Sequence, residues 1–114
     1  MKTIINTTNA PAPIGPYSQA VVANGFLFAS GQVAINPENG ELNMASIAEE
    51  THQVMRNIKA VLIEADYDFA HIIKTTIFLS DMALFVEVNE IYGSYFDSEF
   101  PARETVAVKG LPKG

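Results

Sequence analysis

One arginine stands out through its chemistry and its surroundings. Arg103 is one of two arginines in the chain, and it follows Pro101 where a predicted helix gives way to a predicted strand. A guanidinium group is permanently charged, and its planar donors match the two oxygens of a carboxylate. Arg103 is therefore a candidate for binding a small anionic substrate. From its position alone, the alternative is an ordinary surface salt bridge.

A second set of candidates consists of neutral polar residues in apolar settings. Tyr17 follows a rigid Gly-Pro turn at the entry to a strand, and Ser30 stands beside Gly31 at the end of another. Glycine lets a backbone approach a ligand closely. Asn89 falls on an apolar helical face, where its amide needs a hydrogen-bond partner. The structural alternatives are a partly buried phenol, a β-bulge and a backbone partner for the amide.

Several classes of chemistry lack support in the sequence. There is no cysteine, so thiolate catalysis and disulfides are excluded. His52 and His71 have no partners at metal-ligand spacing, and the pair Glu49-Glu50 at a helix start is best explained as a solvated face. P-loop, dinucleotide-binding and serine-elbow motifs are also missing. We therefore expect neither a metal nor a cofactor.

Composition and charge limit the remaining classes. The 114 residues, 48% of them hydrophobic, suit a single domain spanning 1–114. Thirteen acidic against seven basic residues give a net charge of −6, which disfavours nucleic acids and anionic membranes. The amino terminus does not resemble a signal peptide, and no segment approaches the roughly 20 apolar residues of a membrane span. A cytoplasmic protein is expected.

The elements that must position these residues begin with a hairpin. Residues 18–23 and 26–30 are apolar, β-branched runs separated by Asn24-Gly25, the strongest strand signal in the chain. A third extended run covers 31–35 and ends at a turn over 36–40. Ser46 to Glu49 has the form of a capping box, which predicts a helix start.

The first helix carries an apolar stripe that should face a sheet. The stripe comprises Ile47, Thr51, Val54, Ile58, Val61, Leu62 and Ala65. A break near 66–68 precedes the β-branched stretch 71–79, which predicts a central strand. Asp81 is placed to cap a second helix.

The second helix is predicted to run through Phe85 and Phe96 to Pro101, and a strand over 103–109 follows. The order β-β-β-α-β-α-β predicts an α+β two-layer fold with both helices on one face of a mixed sheet. Apolar residues on its other face would favour self-association. A further edge strand is expected to be missing after Gly114.

Four segments resemble the Rid (YjgF-type) family, specifically its RidA-type members. They are Ile14-Gly15-Pro16-Tyr17-Ser18-Gln19-Ala20, Ser30-Gly31-Gln32, Val88-Asn89-Glu90-Ile91-Tyr92, and Pro101-Ala102-Arg103 followed by Leu111-Pro112-Lys113. The resemblance runs along the whole chain, in order. It implies a chorismate-mutase-like homotrimer whose sheets form an inner barrel, with helices outside and sites in the clefts between subunits.

The resemblance also implies an activity: hydrolysis of the reactive enamines and imines 2-aminoacrylate, 2-iminopropanoate and 2-iminobutanoate to 2-keto acids and ammonia. These substrates are released by pyridoxal-phosphate enzymes such as threonine dehydratase. Arg103 would bind the substrate carboxylate, while Ser30, the Gly31 backbone, Tyr17 and Asn89 would orient the substrate and a water. No cofactor is required.

The chain departs from the family pattern next to the arginine. Glu104 follows Arg103 directly, and Thr105 stands where a cysteine is frequent. Because neighbours on a strand face opposite ways, Thr105 should share the side of Arg103 and join the substrate-binding residues, whereas Glu104 need not neutralise Arg103. The family's water-activating glutamate is expected beyond Lys113.

Two other functions remain open. The first alternative is a non-catalytic trimer that binds a 2-keto acid or amino acid, or that regulates a metabolic enzyme. The ribonuclease or translation-inhibitor role associated with the family is disfavoured by the net charge of −6.

Overall fold

The computed structural model describes residues 2–112. Its strands are β1 (Thr3–Ile5), β2 (Ala20–Ala23), β3 (Phe26–Ala29), β4 (Lys74–Leu79) and β5 (Ala102–Ala107); its helices are α1 (Ile47–Glu64) and α2 (Phe85–Gly93). The order β-β-β-α-β-α-β and the α+β class agree with the prediction. The strands form two sheets, an antiparallel β1-β2-β3 sheet and a parallel β4-β5 pair, where one mixed sheet was predicted.

The predicted hairpin is formed by β2 and β3. Asn24 and Gly25 have φ angles of 52° and 79°, the left-handed conformation that a two-residue hairpin turn needs. Opposed pairs include Val21 with Phe28 and Val22 with Leu27. Val22 and Leu27 pack against the core, so Val21 and Phe28 point to the other face of the sheet.

The predicted third strand over 31–35 is wrong. The segment forms only one isolated bridge, between Ile35 and Leu42. The third strand of the sheet is instead β1, which was not predicted and which pairs antiparallel with β2. The side-chain amide of Asn57 donates to the carbonyls of Val33 and Ile35, at 3.1 and 2.9 Å. A helix side chain thus takes the hydrogen bonds that a neighbouring strand would otherwise make.

Helix α1 begins as predicted, because the Ser46 hydroxyl accepts from the backbone N–H of Glu49 at 3.0 Å. Val61 and Leu62 of the apolar stripe are buried, and Val61 packs with Ile5 and Ala20. The other stripe residues are only partly buried. Two polar residues not assigned to the stripe, Gln53 and Asn57, are almost fully buried instead.

The strand predicted over 71–79 begins three residues later. The Asp68 carboxylate accepts from the Ala70 N–H at 2.9 Å and starts a single 3₁₀ turn over Phe69–His71, so His71 is not in the strand. Within the described part of the chain, β4 has one neighbour, β5, and is not a central strand.

Asp81 caps the second helical region as predicted, accepting from the Ala83 N–H at 2.8 Å. A 3₁₀ turn over Met82–Leu84 leads directly into α2, which ends at Gly93 and not at Pro101. Tyr95 and Phe96 therefore lie beyond the helix. They are held by aromatic contacts with Phe69, at centroid distances of 5.4 and 5.6 Å.

The face of each sheet away from the helices carries exposed apolar side chains. On the three-stranded sheet, Ile4 and Phe28 are 51% and 66% exposed, and both oppose Val21 of the middle strand. On the two-stranded sheet, Phe78 and Val106 are opposed and are 54% and 42% exposed. We call these two surfaces, on the sides of the sheets away from the helices, the helix-free faces. Apolar residues on the second face are the condition under which the sequence favours self-association.

None of the helices among residues 2–112 combines the length and apolar character that a transmembrane segment needs.

Candidate functional site

Arg103 lies at the start of β5, on the side that α2 covers. Its Nη1 donates to the Asn89 side-chain oxygen at 2.6 Å. Its Cζ lies 5.5 Å from the ring centre of Phe85 and 5.2 Å from that of Tyr92. The arginine is nevertheless exposed. The guanidinium is therefore held by uncharged groups and has no carboxylate partner among the described residues, which argues against an ordinary salt bridge.

The contact with Arg103 accounts for the polar residue on the apolar face of α2. Asn89 Oδ1 accepts a hydrogen bond from Arg103 Nη1, and the amide nitrogen of Asn89 makes no hydrogen bond within the described part of the chain. Asn89 therefore positions Arg103 and retains two donors for a ligand.

Thr105 lies two residues along β5 from Arg103 and shares its side of the strand. Its hydroxyl is the one buried side-chain polar atom without a hydrogen-bond partner among residues 2–112. Leaving a buried hydroxyl unbonded costs about 1–3 kcal/mol. The unbonded hydroxyl of Thr105 therefore lowers the stability of the folded chain, next to the candidate anion site. We call Asn89, Arg103 and Thr105 the arginine group.

Glu104 faces the other way, as alternation along the strand requires. Its carboxylate accepts from Thr76 Oγ1 at 2.9 Å and pairs with Lys74 Nζ at 3.3 Å, both in β4. The Thr76 hydrogen bond, followed by Lys74, holds the pKa of Glu104 below its ordinary value of 4.5. Glu104 therefore does not neutralise Arg103.

Tyr17, Ser30 and Gly31 form a separate set, which we call the tyrosine group. Tyr17 and Ser30 line an open hollow of about 410 Å³ on the helix-free side of the three-stranded sheet. Its other lining residues are Lys2, Pro16, Ser18, Val21, Phe28 and Ala29. The Tyr17 side chain is half exposed, since the residue is 51% accessible.

The tyrosine group is positioned by backbone contacts. Ser30 Oγ donates to the Ser18 carbonyl at 2.7 Å, and the Ser30 N–H donates to the Gln19 carbonyl at 3.0 Å. The Ser30 oxygen can still accept a hydrogen bond from a ligand. A Cβ placed at Gly31 would meet no described atom within 4 Å. Contacts within one chain therefore do not explain why position 31 is a glycine and not a residue with a side chain.

The two groups do not share a pocket within one chain. Neither Asn89, Arg103 nor Thr105 lines the hollow, and no hydrogen bond between described residues joins the arginine group to the tyrosine group. The water-activating glutamate and the final strand expected beyond Lys113 fall outside the described residues. Each group therefore has only part of the expected set of functional side chains.

Sequence reasoning did not identify the residues that hold these groups. Gln19, 2% exposed, accepts from the Thr7 N–H at 2.7 Å and donates to the carbonyls of Ala10 and Pro11. It thereby ties the segment carrying Tyr17 to the amino terminus. Its signal was a polar residue directly before an apolar strand.

Phe85 and Tyr92 were missed as neighbours of Arg103. Their signal was present, because they lie four residues before and three residues after Asn89 on one helical face. That spacing predicted a shared face but not what the face contacts. Among residues 2–112, no cluster of three or more His, Cys, Asp or Glu side chains is arranged to hold a metal ion.

Comparison with known proteins places the chain in a family. A family model described as Endoribonuclease L-PSP matches residues 7–114. The human 2-iminobutanoate/2-iminopropanoate deaminase is 44% identical over 114 residues, covering 100% of this chain and 83% of the human protein. AldR of Lactococcus lactis, whose name proposes a regulatory role, is 54% identical over 110 residues, covering 96% of this chain and 87% of that protein.

Solved structures show the same fold. The crystal structure of YyfA from Yersinia pestis, described as a Rid family protein of unknown function, matches with a TM-score of 0.97 at 50% identity. The match covers 100% of this chain and 91% of that one. The α+β fold predicted from the order of the elements is thus confirmed, and the chain belongs to the Endoribonuclease L-PSP (YjgF/Rid) family.

Proposed function

We propose that this protein hydrolyses 2-imino acids and their enamine tautomers to 2-keto acids and ammonia. The observation that carries the proposal is Arg103, an exposed guanidinium held by uncharged groups and not by a carboxylate. The name of the human relative, a 2-iminobutanoate/2-iminopropanoate deaminase, supports the substrate class. Suitable substrates are 2-iminopropanoate, formed from 2-aminoacrylate, and 2-iminobutanoate.

The proposed reaction needs positioning more than activation. The oxygen of a water adds to C2 of the imine while a proton reaches the nitrogen. The resulting tetrahedral aminol then transfers its hydroxyl proton to the nitrogen, expels ammonia and forms the C=O bond of the 2-keto acid. Because free imines already hydrolyse in water, correct orientation and a proton path supply the catalysis, and no cofactor is needed.

Each candidate residue has a role in this scheme. Arg103 binds the carboxylate, Asn89 holds the arginine and donates its free amide protons, and Thr105 extends the same surface. Tyr17 and Ser30 orient the imine and the water from the tyrosine group, together with the backbone of Gly31. The group that activates the water is expected beyond the described residues.

We further propose a homotrimer in which the arginine group of one subunit meets the tyrosine group of the next. The separation of the two groups within one chain and the apolar helix-free faces support this arrangement. Enzymes that release 2-imino acids, such as pyridoxal-phosphate-dependent dehydratases, would supply the substrate. A cytoplasmic location stays a prediction from the sequence.

The activity is tested by generating 2-aminoacrylate with a dehydratase and following pyruvate release. The protein should accelerate release, and Arg103→Ala should lower kcat/KM by about 100-fold or more, because a charge-assisted bidentate contact is lost. Arg103→Lys should also be impaired, since a point charge does not reproduce the fork. Arg56→Ala, which removes the other arginine, is the matched control. No acceleration by the wild-type protein would refute the proposal.

A non-catalytic role is the second candidate, favoured by the regulatory role that the name of AldR proposes. In that case the trimer binds a 2-keto acid or amino acid through Arg103, or acts on a metabolic enzyme, without turnover. Calorimetry alongside the deaminase assay separates the two functions. Salt-sensitive RNA binding is not expected at a net charge of −6, and its detection would favour the nuclease role instead.

A further inference from the structure

The guanidinium of Arg103 contacts three side chains that lie on one face of α2. Phe85, Asn89 and Tyr92 follow each other at spacings of four and three residues, which places them on a single helical face. Both aromatic ring centres lie within the roughly 6 Å at which a cation is attracted to a ring. Asn89 adds a hydrogen bond to Nη1 at 2.6 Å.

One of the two rings is itself fixed. Tyr92 is 7% exposed, and its hydroxyl bonds to Thr75 Oγ1 at 2.7 Å. Thr75 lies in β4 directly beside Arg103 in β5, so the same strand pair carries the arginine and anchors the ring next to it. Phe96 also packs against Tyr92, at a centroid distance of 5.0 Å. The ring therefore has a defined position before any ligand binds.

The contacts leave one edge of the guanidinium uncommitted. Nη1 is engaged by Asn89, whereas Nε and Nη2 have no recorded hydrogen bond among the described residues. A guanidinium recognises a carboxylate with two parallel hydrogen bonds from one edge. An arginine that is already oriented also loses less side-chain entropy when it binds.

We propose that Phe85 and Tyr92 are positioning residues. They fix the orientation of the Arg103 guanidinium, so that its Nε/Nη2 edge selects planar carboxylates over uncharged groups of the same shape. The inference rests on the proposed role of Arg103 as the anchor for the substrate carboxylate. It extends that role by making charge selectivity depend on two rings that need not touch the substrate.

The test compares two ligands that differ only in the anionic group. Calorimetry measures the affinities of 2-oxobutanoate and 2-oxobutanamide for the full chain. The wild-type protein should prefer the acid, and Phe85→Leu should reduce the acid-to-amide affinity ratio by about three- to tenfold. Phe85→Trp keeps a ring beside the cation and should stay within about twofold of the wild-type ratio. Phe69→Leu removes an aromatic residue without a recorded contact to Arg103 and should leave the ratio unchanged.

A purely structural role of Phe85 would lower both affinities equally. An unchanged ratio in Phe85→Leu, an equal loss in Phe85→Trp, or no acid binding by the wild-type protein would each overturn the inference. Phe85→Met is the second ringless variant if Phe85→Leu does not fold. If the ratio falls but imines are not turned over, the proposed activity is wrong and the positioning role stands. If imines are turned over but the acid-to-amide affinity ratio is unchanged in Phe85→Leu, the proposed activity stands and the positioning role is wrong.

Discussion

Arg103 and Asn89 show what a single residue's setting contributes to prediction. Their types and positions were enough to single both out, because a scarce arginine and a polar residue on an apolar helical face each need an explanation. Their mutual hydrogen bond was not predictable, since it joins residues on different elements. Sequence patterns report which residues share a face, while contacts between elements depend on packing that only the folded chain provides.

Thr105 provides a test at the residue scale. We predict that Thr105→Val raises the free energy of unfolding by about 1 kcal/mol, because valine has nearly the same shape and removes an unbonded buried hydroxyl. The same change should weaken 2-oxobutanoate binding if the hydroxyl serves a ligand. Urea denaturation and calorimetry measure the two effects. Thr76→Val is the control, because Thr76 already bonds to Glu104 and should gain nothing. Equal stability changes in the two variants would contradict the prediction.

Glu104 predicts a pH dependence of stability. Its pKa in the folded protein is lowered, first by the Thr76 hydrogen bond and then by Lys74. A lowered pKa means that the contribution is complete above the unfolded-state pKa and is lost as the pH falls through the folded-state value. The stability difference between wild type and Glu104→Gln should therefore be present at pH 7 and shrink below about pH 4. Denaturation at fixed protein concentration measures it. The stability difference should also shrink at high salt, because the ion pair of Glu104 with Lys74 is exposed to solvent.

At the scale of elements, the sequence predicted their types and order better than their partners. The hairpin and both capped helical regions followed from local signals, namely Asn24-Gly25, Ser46 and Asp81. The assignment failed where tertiary contacts overrule local preference. β1 is only three residues long and offers little pattern to detect, whereas residues 31–35 have strand-like composition, but the carbonyls of Val33 and Ile35 accept hydrogen bonds from Asn57.

Asn57 is therefore predicted to be essential for the segment between β3 and α1. The residue is completely buried, donates to two backbone carbonyls and accepts from Gln53 at 3.0 Å. Asn57→Ala should lower the free energy of unfolding by about 3 kcal/mol, because it leaves several buried polar groups unbonded. Urea denaturation measures the loss. Lys59→Ala on the exposed face of α1 should change stability by less than about 0.5 kcal/mol. A loss below about 1 kcal/mol for Asn57→Ala would show that water replaces these bonds.

At the scale of the whole molecule, an apolar face and an incomplete site call for the same explanation. Soluble monomers rarely expose large apolar patches, whereas Ile4, Phe28, Phe78 and Val106 are all exposed on the helix-free faces. The arginine and tyrosine groups are likewise incomplete within one chain. Self-association through the helix-free faces would cover the exposed apolar side chains and would bring the arginine group of one subunit to the tyrosine group of another. The sequence suggested such a face, but a single chain has no contacts that identify which residues meet across it.

We predict that Phe28→Glu dissociates the proposed trimer, because it places a charge at the most exposed residue of the stripe formed by Ile4, Val21 and Phe28. Light scattering should give the mass of one chain for the variant and three for the wild type, and deaminase activity should fall with the assembly. Ile63→Glu is the matched control: Ile63 is 56% exposed on α1, away from the sheets, and should leave the mass unchanged. A Phe28→Glu protein that keeps the wild-type mass would exclude this face as the interface.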